Sequence, residues 1–225
     1  MRQENIQDCS MELLYLSDED THFHQDIEIL YIVEGETAVK EGETYRLGKD
    51  DIAVINSNQP HAYSSARNTI AFRILIPYRT FRKLIREEYF IFCCNSVLYT
   101  SRDDRDLRIL IETLLLRYLN MEYAELSEIA SLLFQIIHKL TADYRMDKDS
   151  LKIYLKERMS EKIDRILNYI NHYYCEPLSL TDVAAHFQVS ETYLSRYFKK
   201  KTGKNFINYL NEVRIENAAL ELRGT

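Results

Sequence analysis

The stretch PLSLTDVAAHFQVSETYLSRYFKKKTGKNF, residues 177–206, contains the start and stop signals of two short helices. Ser179 followed by Asp182 is a capping-box signature, which predicts that a first helix begins at LTDVAAHF. The connector QVS ends at Ser190, a good N-cap for a second helix, ETYLSRYFKKKT. We expect this second helix to stop near Gly203, because glycine readily adopts the left-handed conformation found just past helix ends. The spacing therefore predicts a helix-turn-helix.

The second helix has an apolar side and a polar, basic side. Leu194 and Phe198 are four residues apart, which predicts that they face the core. The polar, basic side is formed by Thr192, Ser195, Arg196 and Lys199. A recognition helix places its N-terminal half in the major groove and its flank against phosphates, so this side favours binding to double-stranded DNA. The alternative is a solvated basic helix end that the helix dipole stabilises.

The basic residues of this segment predict two kinds of DNA contact. Arg196 can donate two hydrogen bonds to O6 and N7 of guanine, which reads sequence. Lysine contacts to phosphate add affinity but carry no sequence information. Five positive charges and no negative one lie in the range 192–211. The candidate DNA-contacting residues are Glu191, Thr192, Ser195, Arg196, Lys199, Lys200 and Lys204.

Residues 163–225 resemble the first half of the DNA-binding domain of the AraC/XylS family of transcriptional regulators. The agreement lies in three motifs, LSLTDVAAHF, S-x-x-YLSR-x-FKK-x-TG and F-x-x-YLNEVRIENA. The resemblance implies a β-barrel sensor domain, a dimerising helical pair and two helix-turn-helix units joined by a long helix. The second helix-turn-helix is absent from this sequence. We therefore expect the chain to be a fragment of a longer protein that binds DNA weakly, if at all.

The range 21–77 is rich in β-branched and aromatic residues and is interrupted by Gly, Asn and Pro. Runs such as IEILYIV and IAFRILIP predict an antiparallel sandwich or barrel. The pattern from His22 to Gly35, H-x-H-x-x-x-E-x-x-x-x-x-x-G, resembles the first motif of the same family's cupin sensor domain. Gly48, Asp51 and NQPH, which ends at His61, resemble a degenerate second motif. The predicted fold class is α+β, with an N-terminal cupin-like β-barrel, an antiparallel helical pair and a C-terminal all-α helix-turn-helix module.

His22, His24 and Glu28 are separated by even numbers of residues, so in one extended strand they point to the same side. The cupin resemblance adds His61, on a later strand that faces the same cavity. Three imidazoles and one carboxylate suit Fe(II), Mn(II), Ni(II) or Zn(II) about equally well. The match to metal-binding cupins is incomplete, because Leu16 stands where the first motif often begins with Gly, and the second motif lacks P-x-G.

Three roles for these histidines stay open: a divalent metal site, a metal-free pocket for a small effector, or a structural role. No cofactor is certain. Regulators of the family commonly bind a sugar in the barrel. The candidate effector-binding residues are His22, His24, Glu28, Tyr31, His61 and Arg73, and Tyr45 and Tyr63 can add stacking. The candidate metal ligands are His22, His24, Glu28 and His61.

Two strongly apolar segments, 106–121 and 126–144, predict amphipathic helices that pair as an antiparallel hairpin. Their wide apolar faces suit a homodimer interface through residues 106–144. The alternative is that they only cap the barrel.

The distribution of charge and the composition of the chain indicate its domain organisation and its location. The 225 residues carry a net charge of −6, divided into −8 over residues 1–157 and +2 over residues 158–225. We expect a sensing domain at 1–100, the helical hairpin at 101–145, a linker at 146–160 and the DNA-binding segment at 161–225. Neither a membrane-spanning run nor a signal segment is evident, and four cysteines without paired spacing favour a cytoplasmic location.

The leading hypothesis is a ligand-responsive transcription regulator that is not an enzyme. The second is a metal-dependent cupin enzyme, an isomerase or dioxygenase, and the third is a constitutive DNA-binding or dimerisation protein with an inert barrel.

Overall fold

The computed structural model describes residues 3–6, 9–85, 90–120, 126–151 and 162–223. The chain divides into two compact units, Met1–Met146 and Asp147–Thr225. The expected linker at 146–160 lies for the most part outside the described residues, at 152–160.

The first unit contains two antiparallel sheets. One has the strand order β1-β2-β9-β4-β7 and the other has the order β3-β8-β5-β6. The strands are β1 (Gln3–Ile6), β2 (Cys9–Tyr15), β3 (Glu19–His22), β4 (Ile27–Glu34), β5 (Glu36–Glu41), β6 (Glu43–Gly48), β7 (Ile52–Ile55), β8 (His61–Ser65) and β9 (Ile70–Ile76). This arrangement confirms the predicted N-terminal β architecture.

The apolar side chains of strand β4 contribute to two separate buried clusters, one on each face of the strand. Alternate side chains of a strand face opposite sides. Leu30 and Ile32 belong to a buried cluster that also contains residues of the second sheet, such as Val39 and Tyr63. Ile27, Ile29 and Tyr31 belong instead to a cluster on the outer face of the first sheet. Glu28 has the parity of Leu30, so it points between the sheets.

In the described part of the first unit, the strands are followed by the helices α1 (Tyr78–Leu84), α2 (Arg105–Leu119) and α3 (Leu126–Lys139), the last continued by a π-helical turn at Leu140–Tyr144. α2 and α3 pack against each other and share the outer cluster with the sheet. The Phe72 and Tyr118 rings, for example, lie 5.5 Å apart. The packed side of the helical pair therefore covers one face of the first sheet.

The second unit is all-α over its described residues. Its helices are α4 (Lys162–Tyr173), α5 (Leu180–His186), α6 (Glu191–Thr202) and α7 (Phe206–Arg223). Ile166 and Ile170 of α4, Val183 of α5, Leu194 of α6 and Val213 of α7 are all almost completely buried. The α+β class is therefore confirmed.

The predicted start and stop signals of α5 and α6 are present. The Ser179 hydroxyl accepts from the Asp182 amide, and the Asp182 carboxylate accepts from the Ser179 amide at 2.9 Å. Ser190 caps α6 by accepting from the Tyr193 amide. Gly203 ends α6 in the left-handed region, with φ of 74°. Local sequence signals thus set both helices of the predicted helix-turn-helix.

None of the described helices combines the length and the apolar character needed to cross a membrane.

Candidate functional site

The histidine cluster is assembled from two sheets and a loop. His22 is the last residue of β3 and pairs with His61, the first residue of β8. His24 lies in the loop before β4, and its carbonyl accepts from the Asn58 amide at 2.7 Å. Glu28 is in β4, which belongs to the other sheet. The expectation that the first three residues lie along one strand is wrong, because the chain crosses from one sheet to the other between them.

The four side chains nevertheless converge. Ligand atoms of His22, His24 and His61 all lie within 4.8 Å of one another. The His22 and His61 ring centroids are 4.2 Å apart, and those of His24 and His61 are 5.1 Å apart. Glu28 Oε2 lies 2.9 Å from His24 Nε2 and 3.6 Å from His61 Nε2. The predicted set is therefore brought together as one group.

Backbone carbonyls fix the orientation of all three imidazoles. Nδ1 of His22 lies 2.9 Å from the Asp20 carbonyl, Nδ1 of His24 lies 3.1 Å from the Asp26 carbonyl, and Nδ1 of His61 lies 2.9 Å from the Gln59 carbonyl. A carbonyl only accepts hydrogen bonds, so each Nδ1 carries a proton. In the neutral ring, each Nε2 then keeps a lone pair.

This protonation leaves acceptors facing one another at the centre of the cluster. His24 Nε2 and Glu28 Oε2 are 2.9 Å apart, which is favourable only with a second proton on the imidazole or with a cation between them. His61 Nε2 is buried and has no hydrogen-bond partner within the described part of the chain. Metal-binding histidines have this arrangement, in which one nitrogen is held by a carbonyl and the other is directed at the ion. The donor set therefore fits a divalent metal.

Glu28 is a buried carboxylate that its neighbours keep ionised. Burial alone raises its pKa, but the adjacent His24 and His61 imidazoles and the nearby charge of Arg73 outweigh that effect and hold its pKa far below the usual range. The Tyr63 hydroxyl donates to Glu28 Oε1 at 2.8 Å. Burial and the Glu28 charge raise the pKa of Tyr63 well above its usual value, so the phenol remains a donor. Tyr63 thereby positions the carboxylate.

Arg73 shares the interior with this group but is already paired. Its Nε and NH2 groups each lie 2.7 Å from Glu12 Oε1, and its NH1 group donates to Glu19 Oε1 at 3.1 Å. Glu19 Oε2 also lies 3.6 Å from His22 Nε2. Sequence reasoning missed Glu12 and Glu19, because their approach depends on sheet pairing; the Glu12↔Arg73 register between β2 and β9 brings the first pair together.

Tyr31 does not join the group, and its predicted place in the pocket needs correction. Its hydroxyl donates to Asp50 at 3.0 Å and to Glu112 of α2 at 2.9 Å. Residue 31 is an odd number of positions from Glu28, so the two side chains leave β4 on opposite faces. The alternation rule applied to these two residues predicts this outcome.

The second candidate site is the exposed side of α6. Leu194 and Phe198 are completely buried, which confirms the predicted apolar face. The predicted DNA-contacting residues of the helix, Glu191, Thr192, Ser195, Arg196, Lys199 and Lys200, are all exposed. Lys204, just beyond the helix, is also exposed but forms an ion pair with Glu212 at 2.6 Å. Tyr193, which sequence reasoning did not include, is 48% exposed on the same helix.

Comparisons with known proteins agree with both parts of this description. Residues 16–78 match the family model described as Cupin domain, Cupin_2. An uncharacterised HTH-type transcriptional regulator of Staphylococcus aureus is 22% identical over 200 residues, which cover 87% of this chain and 26% of that protein. The HTH-type transcriptional regulator YfiF of Bacillus subtilis, also uncharacterised, is 25% identical over 213 residues, or 91% of this chain and 67% of that protein.

Among solved structures, the AraC-like transcriptional activator CuxR is similar with a TM-score of 0.47 and 11% identity, covering 96% of this chain and 79% of that chain. The chain spans about a quarter of the length of the staphylococcal relative. The family match confirms the predicted resemblance to a cupin domain, and the names of these relatives agree with the predicted resemblance to helix-turn-helix transcriptional regulators.

Proposed function

We propose that this chain is a ligand-responsive regulator in which the α5–α6 pair binds double-stranded DNA and the cupin barrel binds a small ligand. The observation that carries this proposal is that the apolar and the polar side chains of α6 lie on different sides of the helix. Leu194 and Phe198 are buried, whereas Thr192, Ser195 and Arg196 are exposed. A helix inserted in the major groove needs this division, because its polar side must remain free for base edges. A regulator of this kind acts on DNA, which fits the expected cytoplasmic location.

The residues of α6 divide into base-reading and phosphate-binding roles. Arg196 can donate two hydrogen bonds to guanine, and Glu191 can accept from the amino group of cytosine. Thr192 is short enough to approach bases closely, and Ser195, further from the middle of the exposed face, can contact a base or a phosphate at its edge. Lys199 and Lys200 supply charge to phosphates, and Lys204 must share its ammonium with Glu212.

The experiment selects duplexes from a random library with the 225-residue chain at low salt and then measures affinity by fluorescence anisotropy. Arg196→Ala should lower the affinity for the selected duplex by about 10-fold and relax the preference at one base pair. Lys200→Ala should weaken binding to all sequences alike and reduce the salt slope by about 0.9.

Arg67→Ala is the matched control, because Arg67 is an exposed arginine in the first unit. It should leave binding unchanged. If no duplex is enriched over the library, or if Arg196→Ala and Arg67→Ala behave alike, the assignment of α6 as the DNA-reading helix is refuted.

The ligand site of the barrel has a donor set suited to a divalent metal, and we propose that His22, His24, His61 and Glu28 hold one. When bound, such an ion would act as a Lewis acid that can coordinate an oxygen atom of an effector. The effector itself is proposed to be a small molecule with hydroxyl groups, such as a sugar. Arg73 is neutralised by Glu12 and Glu19, which favours a neutral effector over an acidic one.

Metal content measured after purification without chelator, followed by titration calorimetry with Zn(II) and Mn(II), tests this site. His24→Ala should lower metal affinity by at least 10-fold. His138→Ala removes an exposed histidine of α3 and should change nothing. Equal affinities for the wild type and His24→Ala would exclude the cluster as the metal site.

The competing role of a metal-dependent isomerase or dioxygenase draws on this same donor set. The names of the relatives favour regulation, and an enzyme role gives no purpose to the second unit. We therefore propose a sensing rather than a catalytic role for the barrel. Turnover of a sugar by the metal-loaded chain, lost in His24→Ala, would contradict this.

We further propose that the helical pair forms a homodimer interface. α2 leaves Ile109, Leu116 and Leu119 more than half exposed on the side opposite its packed face, and Phe134 of α3 is 47% exposed. Ile109, Leu110 and Phe134 also line a groove of about 540 Å³ between the helices. Apolar side chains grouped in this way indicate a protein contact surface.

A further inference from the structure

Tyr193 lies in the first turn of α6, beside the residues assigned to base reading. We propose that its hydroxyl donates a hydrogen bond to a phosphate of the bound DNA and thereby fixes how α6 enters the groove. The inference rests on the proposed function, because it assumes that α6 binds a duplex. The Tyr193 contact is uncharged, unlike the phosphate contacts assigned to Lys199 and Lys200.

The helical geometry places Tyr193 on the DNA-facing side. Successive residues turn by about 100°, so the direction opposite the buried Leu194 and Phe198 passes within a few degrees of Arg196. Tyr193 lies about 60° to one side of Arg196. Ser195 lies about 100° to the other side, so Tyr193 is closer than Ser195 to the centre of the exposed face.

The Tyr193 ring is held in place by a neighbour. It stacks on Tyr197, one turn later, with ring centroids 5.6 Å apart and planes inclined by only 10°. Tyr197 is half-buried, whereas Tyr193 remains 48% exposed. A ring that is already stacked loses little rotamer entropy on binding.

Position on the face decides between a base contact and a phosphate contact. A helix in the major groove presents the middle of its exposed side to the bases and the edges to the two backbones. Arg196 is at the middle, whereas Tyr193 lies towards one edge, the side that Lys200 also occupies about two turns further on. Tyrosine hydroxyls are among the side-chain groups that contact phosphate oxygens.

The experiment compares Tyr193→Phe, Lys200→Ala and the wild-type chain on the duplex selected above. Tyr193→Phe keeps the stacked ring and removes only the hydroxyl, so folding should be unaffected, as circular dichroism will check. It should lower affinity about 3- to 10-fold on every duplex, with an unchanged salt slope, because the lost group is neutral. Lys200→Ala should also lower affinity generally but should reduce the slope.

Neutral methylphosphonate replacements along each strand then identify the partner. At one phosphate, the replacement should make the wild type and Tyr193→Phe bind alike. If Tyr193→Phe binds every duplex with the same affinity as the wild type, the inference is overturned and the proposed function still stands. A loss confined to one base pair also overturns it, because the hydroxyl then reads a base. Failure of the wild type to bind any duplex removes the proposed function and the inference together.

Discussion

At the scale of single residues, backbone carbonyls fix the orientation of the imidazoles in the histidine cluster. The Asp20, Asp26 and Gln59 carbonyls each hold one imidazole by its Nδ1 atom. None of these carbonyls is recognisable in the sequence as part of a site. They nonetheless set which nitrogen of each ring remains available, so the choice of tautomer is a property of local backbone geometry.

The left-handed residue that ends α6 allows a clean test of backbone strain. Gly203 has a φ of 74°, and a Cβ atom added there would meet nothing within 4 Å. Gly203→Ala should therefore destabilise the second unit by about 1 kcal/mol through the backbone alone. Amide hydrogen exchange of α6 and α7 measures this change within the intact chain.

Lys200→Ala is the control for Gly203→Ala, because it adds an alanine to an exposed helical position without strain. Its exchange rates should be unchanged or slightly slower. Gly35→Ala should cost more in the first unit, because its added Cβ would lie 2.8 Å from Thr69 Cα. Unchanged exchange in Gly203→Ala would show that the left-handed cap is dispensable.

The residues that form the group were easier to predict from the sequence than the directions in which their side chains point. The sequence was sufficient to predict that His22, His24, Glu28 and His61 form one group, because the three histidines are the only ones in residues 1–100 and the cupin-like motif spacing adds Glu28. It was insufficient to place them, because the loop at His24 transfers the chain between sheets. Tyr31 was assigned to the wrong face although its parity with Glu28 was available.

At the scale of elements, helix ends were predictable because they depend on a few adjacent residues. The Ser179–Asp182 capping box and the Ser190 cap both formed as their spacing indicated. The π-helical turn at Leu140–Tyr144 was not foreseen, since the predicted helix ran without interruption through residue 144. Such a turn depends on how the helix end packs, and periodicity does not record that.

The capping box of α5 supports a stability prediction with a pH dependence. Ser179→Ala should destabilise the second unit by about 1 kcal/mol, because the Asp182 amide loses its acceptor. The hydrogen bond from the Ser179 side chain, followed by that from its backbone amide, lowers the pKa of Asp182. A carboxyl group whose pKa is lower in the folded than in the unfolded state stabilises the fold at neutral pH. This contribution to the free energy of unfolding is lost as the pH falls through the acid range.

Hydrogen exchange of α5 in the wild type, Ser179→Ala and Asp182→Asn separates these effects. The difference in hydrogen-exchange protection of α5 between the wild type and Asp182→Asn should shrink as the pH is lowered below about 4. A difference that stays constant with pH would show that the Asp182 charge has no part in the cap.

The exposed stripe of α2 gives a prediction about assembly. Leu116 is 61% exposed on a helix whose other face is packed on the sheet. If this stripe is a homodimer interface, Leu116→Asp should shift the chain from dimer to monomer without lowering its thermal stability as a monomer. Light scattering resolves the two states, because the monomer mass is 26.8 kDa.

Leu98→Asp is the matched control, since Leu98 is 53% exposed but lies outside the helical pair. It should remain dimeric. A wild-type chain that is monomeric at all concentrations, or equal dissociation of both variants, would remove the helical pair as the interface.

At the scale of the whole molecule, the two units differ in charge as they differ in fold. Residues 1–157 carry the net negative charge and residues 158–225 carry the net positive charge. A negative unit that holds a cation and a positive unit that approaches phosphates each match the proposed ligand. This division was visible in the sequence because charge needs no knowledge of pairing, whereas the order of strands in two sheets rests on contacts distant along the chain.

A regulator that couples these units must obey thermodynamic linkage, and this gives the broadest prediction. If a metal bound at the histidine cluster changes DNA affinity by some factor, bound DNA must change metal affinity by the same factor. We expect a factor of about 5 to 150, corresponding to a coupling free energy of about 1–3 kcal/mol. Anisotropy with and without Zn(II) measures one side, and calorimetry with and without the selected duplex measures the other.

His24→Ala should remove the effect of Zn(II) on DNA affinity while leaving metal-free DNA binding unchanged. His138→Ala should retain the full factor. A factor of one in both measurements would mean that the barrel binds its ion without communicating with α6, and the second unit would then be a constitutive DNA-binding module. Unequal factors would show instead that a second metal-binding event contributes, because a single site must obey this reciprocity.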